Sequence, residues 1–279
     1  MKCAKLGIGL IGCGAIGSVL ARAVDEGKAG DVSLLAIFDL YTDRAEALCS
    51  QLASRPKVAR SFDELVATKG VNLIVEASSQ AAVREYATQV LERDKELMLM
   101  STGALVDVEL NRRMKDALEK THRMVYLPSG AIAGLDGVKA ANIGRIDEVT
   151  LTSTKPPRGL KGTPYVEDVL KIDLEALTEA TVLYSGPAVE ACRLFPKNVN
   201  VAASLSLAGI GPERTMVRIV ADPRNDKNVH EILVQGEFGR LHVRVENVPS
   251  PDNPKTSYLA VLSAIATLKK IATTMRVGT

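Results

Sequence analysis

The sequence predicts an α/β protein: a doubly wound parallel sheet, followed by a second α+β domain with a mostly antiparallel sheet. Three observations carry this. Residues 5–20 run from an apolar stretch through a glycine turn into helical spacing. Strand and helix patterns then alternate as far as residue 127. Past Gly144 the pattern changes to period two. Strands separated by helices of 10–15 residues make parallel crossovers, whereas strict alternation marks a sheet with one buried face.

The opening element is the most specific. Leu6-Gly7-Ile8-Gly9-Leu10-Ile11 reads as a strand, and Gly12-x-Gly14-x-x-Gly17 follows it directly. Gly12 permits the tight turn, Gly14 lets a ligand approach the backbone, and Gly17 lets the helix pack on the strand. The amides of Ala15 and Ile16, at the positive end of the helix dipole, suit an anion. Ser33-Leu34-Leu35-Ala36-Ile37-Phe38 is the second strand, closed by Asp39 about 20 residues past the glycines. A carboxylate there accepts both ribose hydroxyls of an adenosine and repels a 2′-phosphate. The segment therefore reads as Rossmann-type and binds NAD. Arg44, close to Asp39, keeps NADP open as the alternative. The same stretch mimics a secretory signal, with Lys2 and Ala21-Arg22-Ala23. Its glycine spacing, the interrupting Arg22 and the loss of the first strand on cleavage speak against that reading.

The remaining elements follow in order. Residues 43–52 carry a helical stripe of Ala45, Leu48 and Leu52. Ser61 caps a short helix with Glu64 three residues on. Residues 71–77 form a buried strand, 80–93 a helix, 96–100 a strand, 107–121 a helix with Leu110, Met114, Ala117 and Leu118 inward, and 124–127 a strand. Ligands bind such sheets outside the carboxyl ends of the strands. That rule selects Gly12–Gly17, residues 77–80, residues 101–104, and the small-residue loop Pro128-Ser129-Gly130-Ala131-Ile132-Ala133-Gly134-Leu135-Asp136, where a flat ring has room. Residues 148–154, 215–221, 230–235 and 240–245 alternate, the last two as a hairpin through Phe238-Gly239. Residues 250–255 read as a turn-rich linker, and 256–273 as a long helix. The domains expected are 1–130 for the dinucleotide and 131–251 for substrate and catalysis, with 252–279 packing back on the first.

Bulk properties bound the function. The chain has 279 residues, 46% hydrophobic and 24% charged, with a net charge of +2. This suits a globular protein with a large core and gives no reason to expect nucleic acid or a membrane as partner. No apolar run reaches the ~20 residues of a membrane span. Cys3, Cys13, Cys49 and Cys192 have neither metal nor redox spacing and read as reduced thiols of a cytoplasmic protein.

Three histidines are available for acid–base work. His122 ends a helix and His242 falls on a strand's wet face. His230 begins a strand after the turn 222–228, where it could reach a cleft and transfer protons, although an exposed loop histidine is commoner at such a position. Leu194-Phe195-Pro196-Lys197-Asn198-Val199-Asn200-Val201-Ala202-Ala203 places two asparagines before an apolar helix. They read as a cap and a polar group aimed into a site, with Lys197 suited to a carboxylate or simply solvated.

Taken together, the glycine fingerprint, the 128–136 loop, the 194–203 run and Asp222-Pro223 through Asn228-Val229-His230 resemble the L-aspartate dehydrogenase family over nearly the whole chain. The resemblance implies NAD- or NADP-dependent oxidation of L-aspartate to iminoaspartate, hydrolysed to oxaloacetate and ammonia, with the imine feeding NAD synthesis in some members. It implies His230 as the catalytic base and Ala133 and Asn200 beside the nicotinamide, in a cleft between the domains. Lys197 and Asn198 are the expected substrate contacts, no metal is required, and a homodimer is implied. Two other readings stay open: a related dehydrogenase acting on another amino acid or small carboxylic acid, and a non-catalytic NAD sensor.

Overall fold

A computed structural model describes residues 5–196, 199–250, 253–275 and 277–278. The chain divides into two compact units. One comprises Met1–Pro128 with Val261–Val277, the other Ser129–Ala260 with Gly278–Thr279.

The first unit is built on β1 (Leu6–Ile11), α1 (Ala15–Asp25), β2 (Val32–Phe38), α2 (Thr42–Gln51), β3 (Lys57–Val58), α3 (Phe62–Val66), β4 (Leu73–Glu76), α4 (Gln80–Glu92), β5 (Glu96–Leu99), α5 (Val108–Thr121) and β6 (Val125–Tyr126). Its six strands lie in the order β3-β2-β1-β4-β5-β6, all parallel. The strand order reverses between β1 and β4. That switch point is where such sheets receive ligands. Strands buried on both faces need continuous apolar runs, and Leu73-Ile74-Val75 is fully buried for that reason. The helices bury the predicted stripes: Ala45 and Leu48 in α2, and Leu110, Met114 and Ala117 in α5. Ser61 Oγ caps α3 by accepting from the Glu64 amide, and Asp107 caps α5 through the Leu110 amide.

The second unit contains α6 (Leu135–Ala141), β7 (Ile146–Lys155), β8 (Thr181–Pro187), α7 (Ala188–Leu194), α8 (Asn200–Ala208), β9 (Met216–Ala221), β10 (Asn228–Gly236), β11 (Gly239–Asn247), β12 (Pro249–Ser250), β13 (Asn253–Ser257) and the start of α9 (Tyr258–Ala272). Its main sheet has the order β11-β10-β7-β9-β8. Three of its four pairings are antiparallel, and β7 with β9 is parallel. One expectation is corrected here. The stretch read as a linker contributes β12 and β13, which pair with each other. Its Pro and Asn content hid strands that depend on local pairing rather than on an apolar face. Edge strand β8 was also not foreseen, because exposed Val182 and Ser185 break its alternation. Among the described residues no helix is long and apolar enough to cross a membrane.

The glycine turn separates structural from ligand demands. Gly12 has φ +98°, and a Cβ at Gly17 would overlap the Gly12 carbonyl oxygen. A Cβ at Gly14, in contrast, would meet nothing within 4 Å. We expect Gly17→Ala to destabilise the protein by roughly 1–3 kcal/mol through overpacking. Gly14→Ala should change stability by less than about 1 kcal/mol, the usual scale for a cap change. Urea unfolding of the two variants checks the contrast.

Candidate active site

In the first unit the carboxyl ends of the strands form a polar edge. Gly14 is the N-cap of α1, and no acidic side chain occupies that helix's first turn. Asp39 follows β2 and turns back on the glycine loop. Its Oδ2 accepts from the Cys13 amide at 2.8 Å, and Oδ1 accepts from the Tyr41 amide at 2.9 Å. A carboxylate oxygen has a second lone pair, so both oxygens can still receive ribose hydroxyls. The Arg44 guanidinium lies 4.4 Å from the centroid of the Tyr41 ring, on the exposed side of this edge. These residues fit a dinucleotide. The open space at Gly14 is a cradle that a side chain would fill, and nothing in the fold itself requires glycine there.

Sequence reasoning passed over Glu76, the last residue of β4. It is buried, and its Oε1 accepts from the Ser78 amide at 2.7 Å and from Ser101 Oγ at 2.9 Å. Oε2 accepts from the Ser101 amide at 3.0 Å. Burial raises its pKa, and these donors offset only part of that rise. The carboxylate thereby ties the loop after β4 to the loop after β5, two of the edges predicted to meet a ligand.

In the second unit the site is set by strand register. On β7, Val149, Leu151, Ser153 and Lys155 share the covered face. On β10, Asn228, His230, Ile232 and Val234 do the same. His230 pairs with Ser153, and Ile232 with Leu151. An apolar face therefore ends in a polar patch. His230 Nδ1 lies 2.9 Å from Ser153 Oγ. Asn228 donates to Ser257 Oγ at 3.2 Å, and Asn247 donates to the Ala131 and Asn228 carbonyls at 3.0 and 3.3 Å. Asn247 Oδ1 is buried with no partner in the structure. Burial first, and then the Lys155 charge, push the His230 pKa down to about 3. Burial alone pushes Lys155 down to about 8. The imidazole is therefore neutral at pH 7. With hydrogen on Nδ1 donated to Ser153, Nε2 keeps its lone pair.

His230 differs from expectation in one respect. It is the third residue of β10 rather than its first, and only 3% exposed. The turn ends sooner because Asn228 and Val229 already pair with β11 and β7. The 128–136 loop approaches this patch through Ala131. Ala133 is exposed, and Gly130 lies against Val201 in the first turn of α8. Asn200 is the first residue of α8; Val199 is its N-cap, so the expected capping role falls away. Lys197 and Asn198 lie outside the described residues. His122 ends α5 in a left-handed conformation, and His242 is exposed on β11, as expected. Among the described residues no His, Cys, Asp and Glu cluster could hold a metal.

The low His230 pKa has a stability consequence. The unfolded chain takes up a proton near pH 6.5, which the folded protein refuses until about pH 3. The stability contributed by neutral His230 is therefore complete above pH 6.5 and lost as the pH falls toward 3. We expect urea-unfolding free energy to fall less between pH 7 and pH 4 in His230→Gln than in the parent. The difference has an upper limit of about 1.4 kcal/mol per pH unit.

Comparison with known proteins agrees with both halves. The family described as "Aspartate dehydrogenase, C-terminal" matches residues 136–271, and "Homoserine dehydrogenase, NAD binding domain" matches residues 12–128. The chain is 49% identical to an L-aspartate dehydrogenase of Methanosarcina barkeri, covering 98% of this chain and 100% of that one. It is 44% identical to one from Nitrosopumilus maritimus, over 94% and 95% of the two chains. The crystal structure of aspartate dehydrogenase from Thermotoga maritima superimposes with a TM-score of 0.77 at 28% identity, covering 98% and 99% of the chains. The chain belongs to the L-aspartate dehydrogenase family.

Proposed function

We propose that the protein catalyses the reversible NAD(P)-dependent oxidative deamination of L-aspartate to iminoaspartate, released as oxaloacetate and ammonia. The observation that carries this reading is the buried, neutral His230 held by Ser153 in a chain of this family. When bound, the nicotinamide supplies the hydride acceptor. The pyrophosphate would rest on the amides from Gly12 to Gly17, including those of Ala15 and Ile16, and the adenosine ribose on Asp39. Ala133 and Asn200 are proposed to flank the ring.

The protein's own residues handle protons and position. The substrate amine must lose a proton before its lone pair can form the C=N bond. Nε2 of His230 accepts that proton, while Ser153 fixes the ring through Nδ1. After passing that proton to solvent, the same imidazole takes a proton from the water that adds to the imine carbon and gives it to the nitrogen, and ammonia departs as the new hydroxyl loses its proton to form the oxaloacetate carbonyl. Lys197 and Asn198 remain proposed substrate contacts. Asp39 favours NAD over NADP, because its carboxylate would face a 2′-phosphate at the end of β2.

Oxidation of NADH by oxaloacetate, dependent on ammonium, tests the activity; no ammonium-dependent rate would remove the reading. His230→Ala should lower turnover by about 10²–10⁴-fold and leave NADH affinity nearly intact. Unaltered turnover would free His230 from the role. Asp39→Ser should move the ratio of kcat/KM values toward NADP, and an unmoved ratio would assign the discrimination elsewhere.

A further inference from the structure

The mechanism leaves one buried cation unused. Lys155 ends β7 on the covered face, two residues beyond Ser153. It is buried like His230, though slightly less deeply, and its charge acts on that imidazole. A lysine at such a depth is costly to the fold, and an apolar side chain of similar volume would serve packing as well or better. Its neighbours on this face are Ser153 on the same strand and Asn228 and His230 on β10, with Ile219 and Ala221 paired alongside on β9. On β10, Glu231 alternates to the other face, where it pairs with Arg244 at 3.2 Å. Asp222, just past β9, lies 3.5 Å from Arg224. The chain immediately after Lys155 lines a pocket of about 530 Å³, whose walls include Pro156, Arg158, Lys161 and Arg224.

We propose that Lys155 receives one carboxylate of the amino-acid substrate, beside His230. The inference rests on the dehydrogenase reading and adds the contact that selects an acidic substrate. A carboxylate set against the ammonium forms a charge-assisted hydrogen bond in a low-dielectric site. It also cancels the field that helps to keep protons off His230. The base therefore gains some proton affinity when the acid substrate arrives, although burial, the larger cause, remains.

The experiment compares the parent protein with Lys155→Met and Lys155→Gln, each loaded with NADH, titrating the non-reacting four-carbon dicarboxylate succinate by calorimetry. The variants should bind succinate about 10–100-fold more weakly, the scale of a lost hydrogen bond to a charged group. NADH affinity should stay within about twofold, and the thermal midpoint of Lys155→Met should hold or rise. Succinate binding within about threefold of the parent would overturn the proposal. So would failure of the parent to bind succinate, or loss of folding in both variants, which would mark Lys155 as structural. The two readings fail separately. Lys155-dependent succinate binding without ammonium-dependent turnover in the parent would sink only the dehydrogenase reading. Turnover in the parent, with an unchanged KM for oxaloacetate in Lys155→Met, would sink only the lysine.

Discussion

The pairing register between β7 and β10 is the constraint on which the chemistry depends. His230 opposite Ser153 puts the imidazole on the covered face in line with Ile232 and Val234. A slip of one residue would send every side chain of the strand to the other face and leave His230 in water. Its proton affinity would then return to an ordinary value, and its bond to Ser153 would be lost. The apolar residues of the two strands enforce this register. Val149 and Leu151 on β7, with Ile232 and Val234 on β10, are fully buried. Hydrophobic packing at one end of the face thus fixes polar geometry at the other.

The first unit solves a different problem with a similar device. Its ligand edge consists of loops, which are mobile unless something ties them down. Two carboxylates do so from the ends of β2 and β4, the strands that flank β1. Asp39 accepts from the amide of Cys13 inside the glycine turn, and Glu76 accepts from donors in two further loops. Half-buried Asp39 accepts from two backbone amides and buried Glu76 from two amides and a hydroxyl, so each holds its loops by several hydrogen bonds. The edge is set before any ligand arrives, which reduces the ordering needed on binding.

Much of this was legible in the sequence. The glycine spacing, the acid closing the second strand and the alternation of strands with helices fix the parallel sheet, since each follows from backbone sterics or burial on two faces. The cap at Ser61 was equally local, whereas Asp107, read as the first residue of its helix, is the N-cap. What escaped detection depends on partners distant in sequence. β8 has apolar residues without clean alternation, and the β12–β13 pair has no apolar signature of its own. The role of Glu76 appears only when β5 brings Ser101 beside it. For His230 the signal was present: it shares parity with Ile232 and Val234, and Ser153 and Lys155 share parity with Val149 and Leu151. Reading parity past the last apolar residue of each strand would have placed all three inward. The order of β7 and β10 in the sheet, which makes them neighbours, could not be read from either strand alone.

Both carboxylates of the first unit and the imidazole of the second follow one rule: a polar group at a strand end is given a defined state by what the sheet places around it. For His230 that state is an uncharged ring, hydrogen-bonded through Nδ1 and surrounded by protein. The most direct measurement is the ¹⁵N chemical shifts of the His230 ring nitrogens in the ligand-free protein as the pH is lowered from 7 to 4. The account predicts a neutral imidazole with two inequivalent nitrogens throughout that range, because protonation waits until about pH 3. Two equivalent, protonated nitrogens appearing near pH 6.5 would place the ring in water and contradict the account.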